Sequence, residues 1–240
     1  MAIWEDWLRR RLRAPVRTAQ VRCSDCCPTN VELRELLRRR IAPQMAGYAW
    51  DGAYTWVSHW EADRSRRVVR LALTKGGGAI VQWGRGYDFL PVLSGDRRTV
   101  SYQRTEKAVG IHLFMDSPWS ASRAFSRCGK DLRAVEETLS RAFDAARPAW
   151  EGWFRQTEGL ENAVWEARRQ CGEAPCVWPA PRQVSAFLLA ALGRETEARQ
   201  ALEEFFAAMP DLPAEGRTAL EKRLSALSRA AERGEGIWVG

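Results

Sequence analysis

Between Ala53 and Asp116 apolar and polar residues alternate in short runs, whereas before and after this stretch the apolar positions recur every three or four residues. Strict alternation places successive side chains on opposite faces of a strand, and the longer period places them on one stripe of a helix. Six segments alternate: AYTWVSHW (53–60), RVVRLAL (67–73), AIVQW (79–83), YDFLPVL (87–93), RTVSYQ (98–103) and AVGIHLFM (108–115). Lys75-Gly76-Gly77-Gly78, Gly84-Arg85-Gly86 and Ser94-Gly95-Asp96 supply the turns between them. Connections this short leave no room for crossover helices, so the strands pair antiparallel. Within them Tyr54, Trp56, Ser58 and Trp60 share one face, as do Val69, Leu71 and Leu73.

The flanks read as helices. Residues 2–13 carry Trp4, Leu8 and Leu12 on one side and Arg9, Arg10, Arg11 and Arg13 on the other, a basic amphipathic helix that docks on the domain, on a partner or on a membrane surface. Thr29 and Glu32 form a capping box for a helix with Val31, Leu33, Leu36, Leu37 and Ile41 as its buried stripe, closed by Pro43 and Gly47. Ser117-Pro118 opens the helical half, with a stop at Cys128-Gly129. From Asp131 onward Leu132, Val135, Leu139, Phe143 and Ala146 keep a helical period, and Pro148 starts a tryptophan-rich segment. Residues 171–181 read as a connector, 184–210 as two helices hinged at Gly193, and Pro213 opens a last helix with Leu220, Leu224 and Leu227. The 184–210 pattern, small and large apolar residues either side of a Leu-Gly turn, resembles a single tetratricopeptide-type hairpin; no second copy is present, and repeat arrays need about three units.

These elements predict an α+β protein: an antiparallel sheet of five to six strands over about 53–116, flanked by N-terminal helices and a C-terminal helical half. Residues 1–116 and 117–240 are the two parts, packed as one unit. No apolar run is long enough to span a membrane, and Glu5 and Asp6 stand where a signal peptide would be basic, so the expected location is the cytoplasm.

Charge sharpens the picture. The first 116 residues hold 20 basic and 12 acidic side chains, a surplus of +8 within a net charge of +7. Lysine supplies only four of the 37 basic groups. The sheet region gathers Arg64, Arg67, Arg70, Arg85, Arg98, Arg104 and Lys107 with Trp56, Trp60, Trp83, Tyr87 and Tyr102. Arginine and tryptophan are enriched at protein interface hot spots, and rings beside cations also hold single-stranded nucleic acid. These twelve residues are the candidate binding surface, on condition that one face of the sheet stays open.

Candidate chemistry is sparse. Cys23, Cys26 and Cys27 have the spacing of a zinc knuckle or redox pair, but structural zinc takes four ligands and the next cysteine pair, Cys171 and Cys176, lies far along the chain. They are weak metal candidates, and no cofactor is expected. Gly76-Gly77-Gly78 joins strand to strand, unlike a phosphate loop. His59, His112, Glu61, Asp63, Asp88 and Asp116 form no recognisable catalytic pattern. The leading expectation is a non-enzymatic cytoplasmic protein that binds another protein, of the kind found among immunity and adaptor proteins of bacterial toxin, defence or secretion systems. A nucleic-acid-binding protein that uses the basic, aromatic sheet face is the alternative. An enzyme whose active site no motif reveals is the second.

Overall fold

A computed structural model describes residues 27–74, 77–101, 114–115, 124–127, 131–171 and 179–234. The expected helix at 2–13, the strand segment 102–113, Ser117-Pro118 and Cys128-Gly129 lie outside them, as do Cys23, Cys26 and Cys176.

Helix α1, Asn30–Leu36, begins at the expected capping box: the Thr29 hydroxyl accepts from the Glu32 amide at 3.2 Å, and Glu32 Oε2 accepts from the Thr29 amide at 2.8 Å. The helix continues as a π turn, Leu37–Ile41, and a 3-10 turn, Ala42–Gln44. Leu33, Leu36, Leu37 and Ile41 are buried as the stripe requires. Val31 is 75% exposed instead, because two residues before Leu33 a helix has turned about 200° to its other face.

The main sheet is antiparallel and comprises β1 (Tyr48–Trp50), β2 (Thr55–Ser58), β3 (Ser65–Leu73), β4 (Gly78–Tyr87), β7 (Phe114–Met115) and β8 (Ala124–Ser126). It runs β1-β2-β3-β4, and the outer edge of β4 is shared by β7 at Gly84–Arg85 and β8 at Gly78–Ile80. β5 (Val92–Leu93) and β6 (Val100–Ser101) pair in a separate small hairpin. Three local expectations give way here. Gly84-Arg85-Gly86 is no turn: β4 runs straight through it, and neither glycine takes a positive φ. The segment 87–93 is split, Tyr87 ending β4 and Val92 starting the small hairpin. The sheet also reaches past residue 116, since β8 lies where helix was expected.

One face of the sheet is set by the register Trp56↔Val69↔Trp83 with Leu71↔Val81, and it lies under helix α2, Leu132–Gln156. The Asp131 side chain caps α2 by accepting from the Ala134 amide at 2.6 Å. Val135, Leu139, Phe143, Trp150, Trp153 and Phe154 are buried, and edge-on ring contacts link Trp56 to Phe143, Phe143 to Trp150 and Trp150 to Trp83. Pro148 does not interrupt α2. It sits on the exposed side, while the buried rings on either side hold the helix together.

Among the described residues four helices follow: α3 (Leu160–Gln170), α4 (Pro181–Ala191), α5 (Glu195–Ala208) and α6 (Ala214–Glu232). α4 touches the other three and is buried on every side from Gln183 to Ala190, which explains its lack of a polar face. Gly193, at φ +73°, makes the expected turn into α5. Ion pairs Arg168–Glu197 at 3.1 Å and Arg194–Glu161 at 3.0 Å tie α3 to α5. Gln183 Nε2 donates to the Pro91 carbonyl at 2.7 Å and fastens α4 to the segment before β5. No helix among the described residues is long and apolar enough to cross a membrane.

Candidate functional site

The sheet does not offer the open aromatic face that its sequence suggested. Trp56, Trp83 and Tyr87 are buried on the side covered by α2, and burial pushes the Tyr87 hydroxyl strongly upward in pKa. On the opposite side Thr55, Val57, Arg66 and Val68 are buried too. Trp60 is 37% exposed, with the Arg66 guanidinium over its ring at 4.5 Å. Arg64 is bonded to Asp88, Arg70 Nε donates to Gln82 Oε1 at 2.8 Å, and Arg98, in the loop of the small hairpin, reaches Glu215 of α6 at 3.6 Å. Tyr102, Arg104 and Lys107 lie outside the described residues. The twelve candidates therefore do not form one surface: a strand alternates its side chains, and the side rich in rings was needed for the core.

Two of them, Arg67 and Arg85, meet in a different place. A cleft of about 650 Å³ opens between the C-terminal half of α2, the turn before β1 and the β2–β3 connection. Its floor is built around Glu61. Arg67 Nε lies 2.9 Å from Glu61 Oε1, and Arg85 Nη1 donates to Glu61 Oε2 at 2.8 Å. Arg85 is 1% exposed and is held on all sides: it also donates to Ser65 Oγ at 2.8 Å, Thr157 Oγ1 at 3.0 Å and the Phe154 carbonyl at 2.9 Å. A guanidinium has five N–H donors and is costly to bury unless they are used. Arg85 thereby fastens the end of α2 to β3 and to the β2–β3 connection.

Each arginine over the floor rests on a ring: Arg67 on Tyr48 at 5.8 Å, Arg85 on Phe154 at 5.9 Å and Arg147 on Trp150 at 5.5 Å. Burial raises the Tyr48 hydroxyl's pKa; Arg67 opposes the shift and Glu61 and Glu151 add to it. Arg147 donates to the Gln44 carbonyl at 3.1 Å. At the rim stand Glu151, Arg155 and Glu158, exposed and with no side-chain hydrogen bond or ion pair among the described residues.

Sequence reasoning missed Tyr48, Gln44, Arg147, Glu151, Arg155 and Glu158. Arg147, Glu151, Arg155 and Glu158 are spaced by four, four and three residues, a helical stripe that becomes legible once Pro148 is known to lie inside a helix. Among the described residues no three His, Cys, Asp or Glu side chains are grouped so as to hold a metal ion. Cys27 is half-buried; Cys171 is a free thiol that donates to the Ala167 carbonyl at 3.2 Å, with its pKa raised by burial.

Comparison of the chain with protein-family models, with curated proteins and with solved structures finds no match.

Proposed function

We propose that this protein acts by binding another protein, as a non-enzymatic adaptor or immunity-type component of the cytoplasm, and that the partner docks in the cleft beside α2. The observation that carries the reading is the rim: among the described residues Glu151, Arg155 and Glu158 keep charges of both signs unpaired beside Arg67 and Arg147, each set over a ring. Arginine stacked on an aromatic ring is a pre-ordered contact group, and such pairs are typical of residues that dominate interface energetics. Charges of both signs fit a polypeptide. Glu61, Glu151 and Glu158 are interspersed with Arg67, Arg85, Arg147 and Arg155, so the cleft offers no continuous run of cations for a phosphate chain, which favours a protein partner over nucleic acid.

The test places a photo-crosslinking amino acid at Tyr48, on the cleft floor, in the native host. The expected result is one polypeptide adduct whose purified partner binds the chain, with affinity lost in Arg155→Glu and Glu151→Lys. A partner indifferent to both reversals, or adducts to nucleic acid alone, would overturn the reading.

A further inference from the structure

Along the outer side of α2 the charges alternate in sign: Arg133, Glu137, Arg141, Asp144, Arg147, Glu151, Arg155 and, just past the helix, Glu158, while Glu136 pairs with Arg39 and Arg40 of the π turn. Spacing of three or four residues allows such charges to pair within the helix, and Arg133 and Glu137 do so at 3.3 Å. Beyond Glu137 this stops. Asp144, Glu151, Arg155 and Glu158 have no side-chain partner among the described residues, and Arg141 donates only to the Glu137 carbonyl. An alternating row read backwards is its own complement. If two copies of α2 lie antiparallel, Arg141 meets Glu158 and Asp144 meets Arg155, and both pairs share one midpoint, between Ala149 and Trp150.

The surface at that midpoint suits close approach. Ala145, Pro148 and Ala149 are exposed, and a Cβ added at Gly152 would meet nothing within 4 Å. Arg141, Ala145, Pro148, Gly152 and Arg155 follow one another at spacings of four, three, four and three, the seam spacing of two helices packed side by side. A two-fold interface is self-complementary by construction, so each contact occurs twice.

We infer that a second copy of this chain docks on the outer face of α2, antiparallel, through Arg141–Glu158 and Asp144–Arg155 pairs around a centre of small residues. One helix pair buries less than the roughly 1,600 Å² of a standard interface, and exposed ion pairs are individually weak. The dimer is therefore concentration-dependent and loosens with salt.

Sedimentation equilibrium of the full chain tests this, with circular dichroism to confirm that each variant is folded. Arg155→Glu alone and Asp144→Arg alone each set like charges opposite one another twice and should weaken dimerisation by about tenfold or more, roughly 1.4 kcal/mol. The double variant Asp144→Arg with Arg155→Glu restores opposite signs and should recover the dimer, while Ala149→Trp blocks the centre and should leave monomer. A chain that stays monomeric at high concentration in low salt overturns the inference. So does a dimer that the single reversals leave unchanged, or one that the double variant fails to recover. Arg155 and Glu158 also stand at the cleft rim, so Asp144→Arg, outside the cleft, separates the two readings: it should weaken the dimer and leave the crosslink from Tyr48 unchanged.

Discussion

Replacing Arg85 by methionine removes the guanidinium but keeps most of the stem, so the experiment isolates the polar clasp. The wild-type side chain makes four hydrogen bonds, to Thr157, Glu61, Ser65 and the Phe154 carbonyl, while almost wholly buried. The groups left behind fare differently. Glu61 keeps Arg67 and some exposure to water, and Thr157 Oγ1 still donates to the Trp153 carbonyl at 2.9 Å. The Phe154 carbonyl loses the guanidinium in a buried setting, and Ser65 Oγ keeps only the long 3.4 Å contact to Glu61. Breaking a buried charge cluster from one side costs about 3–5 kcal/mol. At a urea m-value of about 3 kcal/mol/M this lowers the unfolding midpoint by about 1 to 1.7 M. Arg67→Met is the control. Arg67 serves the same carboxylate, but its side chain is 43% exposed, and a surface pair contributes about 0–1 kcal/mol, or less than about 0.3 M in midpoint. Urea melts followed by tryptophan fluorescence, with circular dichroism as the second probe, give both midpoints. Equal shifts for the two variants would refute the claim that burial, not shared partnership with Glu61, sets the difference.

Two further changes test the packing and electrostatics of the helical half. A Cβ at Gly216 would overlap the Arg97 carbonyl oxygen and stand 3.2 Å from its carbon, so Gly216→Ala should destabilise by about 1–3 kcal/mol despite alanine's better helix propensity. Gly95→Ala, with open space around it, should be near neutral in the same urea melts. Burial pushes the Glu166 carboxyl upward in pKa, but hydrogen bonds from Arg169, Gln170 and Trp153 outweigh it and hold the group below the ordinary value of 4.5. A depressed folded-state pKa gives stability that is present above the unfolded value and lost as pH falls through the folded one. Glu166→Gln should therefore lower the urea midpoint near neutral pH and flatten its fall below about pH 4.5; an unchanged acid slope would refute the assignment.

The elements that sequence disclosed were those where one local rule and the tertiary demand agree. Val135, Leu139 and Phe143 keep a helical period because a single face of α2 meets the sheet. Thr29 and Glu32 satisfy each other within one turn, so no distant residue could alter their geometry. Alternation gave the right sets of side chains on the strands, Trp56 with Ser58 and Val69 with Leu71, but it is symmetric between the two faces. It cannot say that the tryptophans belong to the core, and the condition that one ring-bearing face stays open is not met for Trp56, Trp83 and Tyr87. β1 escaped notice because Tyr48-Ala-Trp50 is too short to show a period and stands between Gly47 and Gly52.

The two widest departures from local preference share one cause, and it leads to the site. By local preference Gly84-Arg85-Gly86 and Pro148 are punctuation, yet both lie inside regular structure. Glycine permits a turn without requiring one, and proline breaks a helix only when nothing else holds the turns on either side together. Here the burial of Trp150, Trp153 and Phe154 beyond the proline, and of Arg85 between the glycines, supplies what the local signal lacks. The two overrides depend on each other: α2 must run on past Pro148 to bring Phe154 and Thr157 over Arg85, and β4 must run through its glycines to carry Arg85 beneath them. The cleft exists only where both continue, with Arg85 on its floor and Glu151 and Arg155 on its rim. A site produced by two departures from local preference cannot be found from either stretch alone, whereas the alternating charges of α2 become a single row as soon as the helix is known to be unbroken.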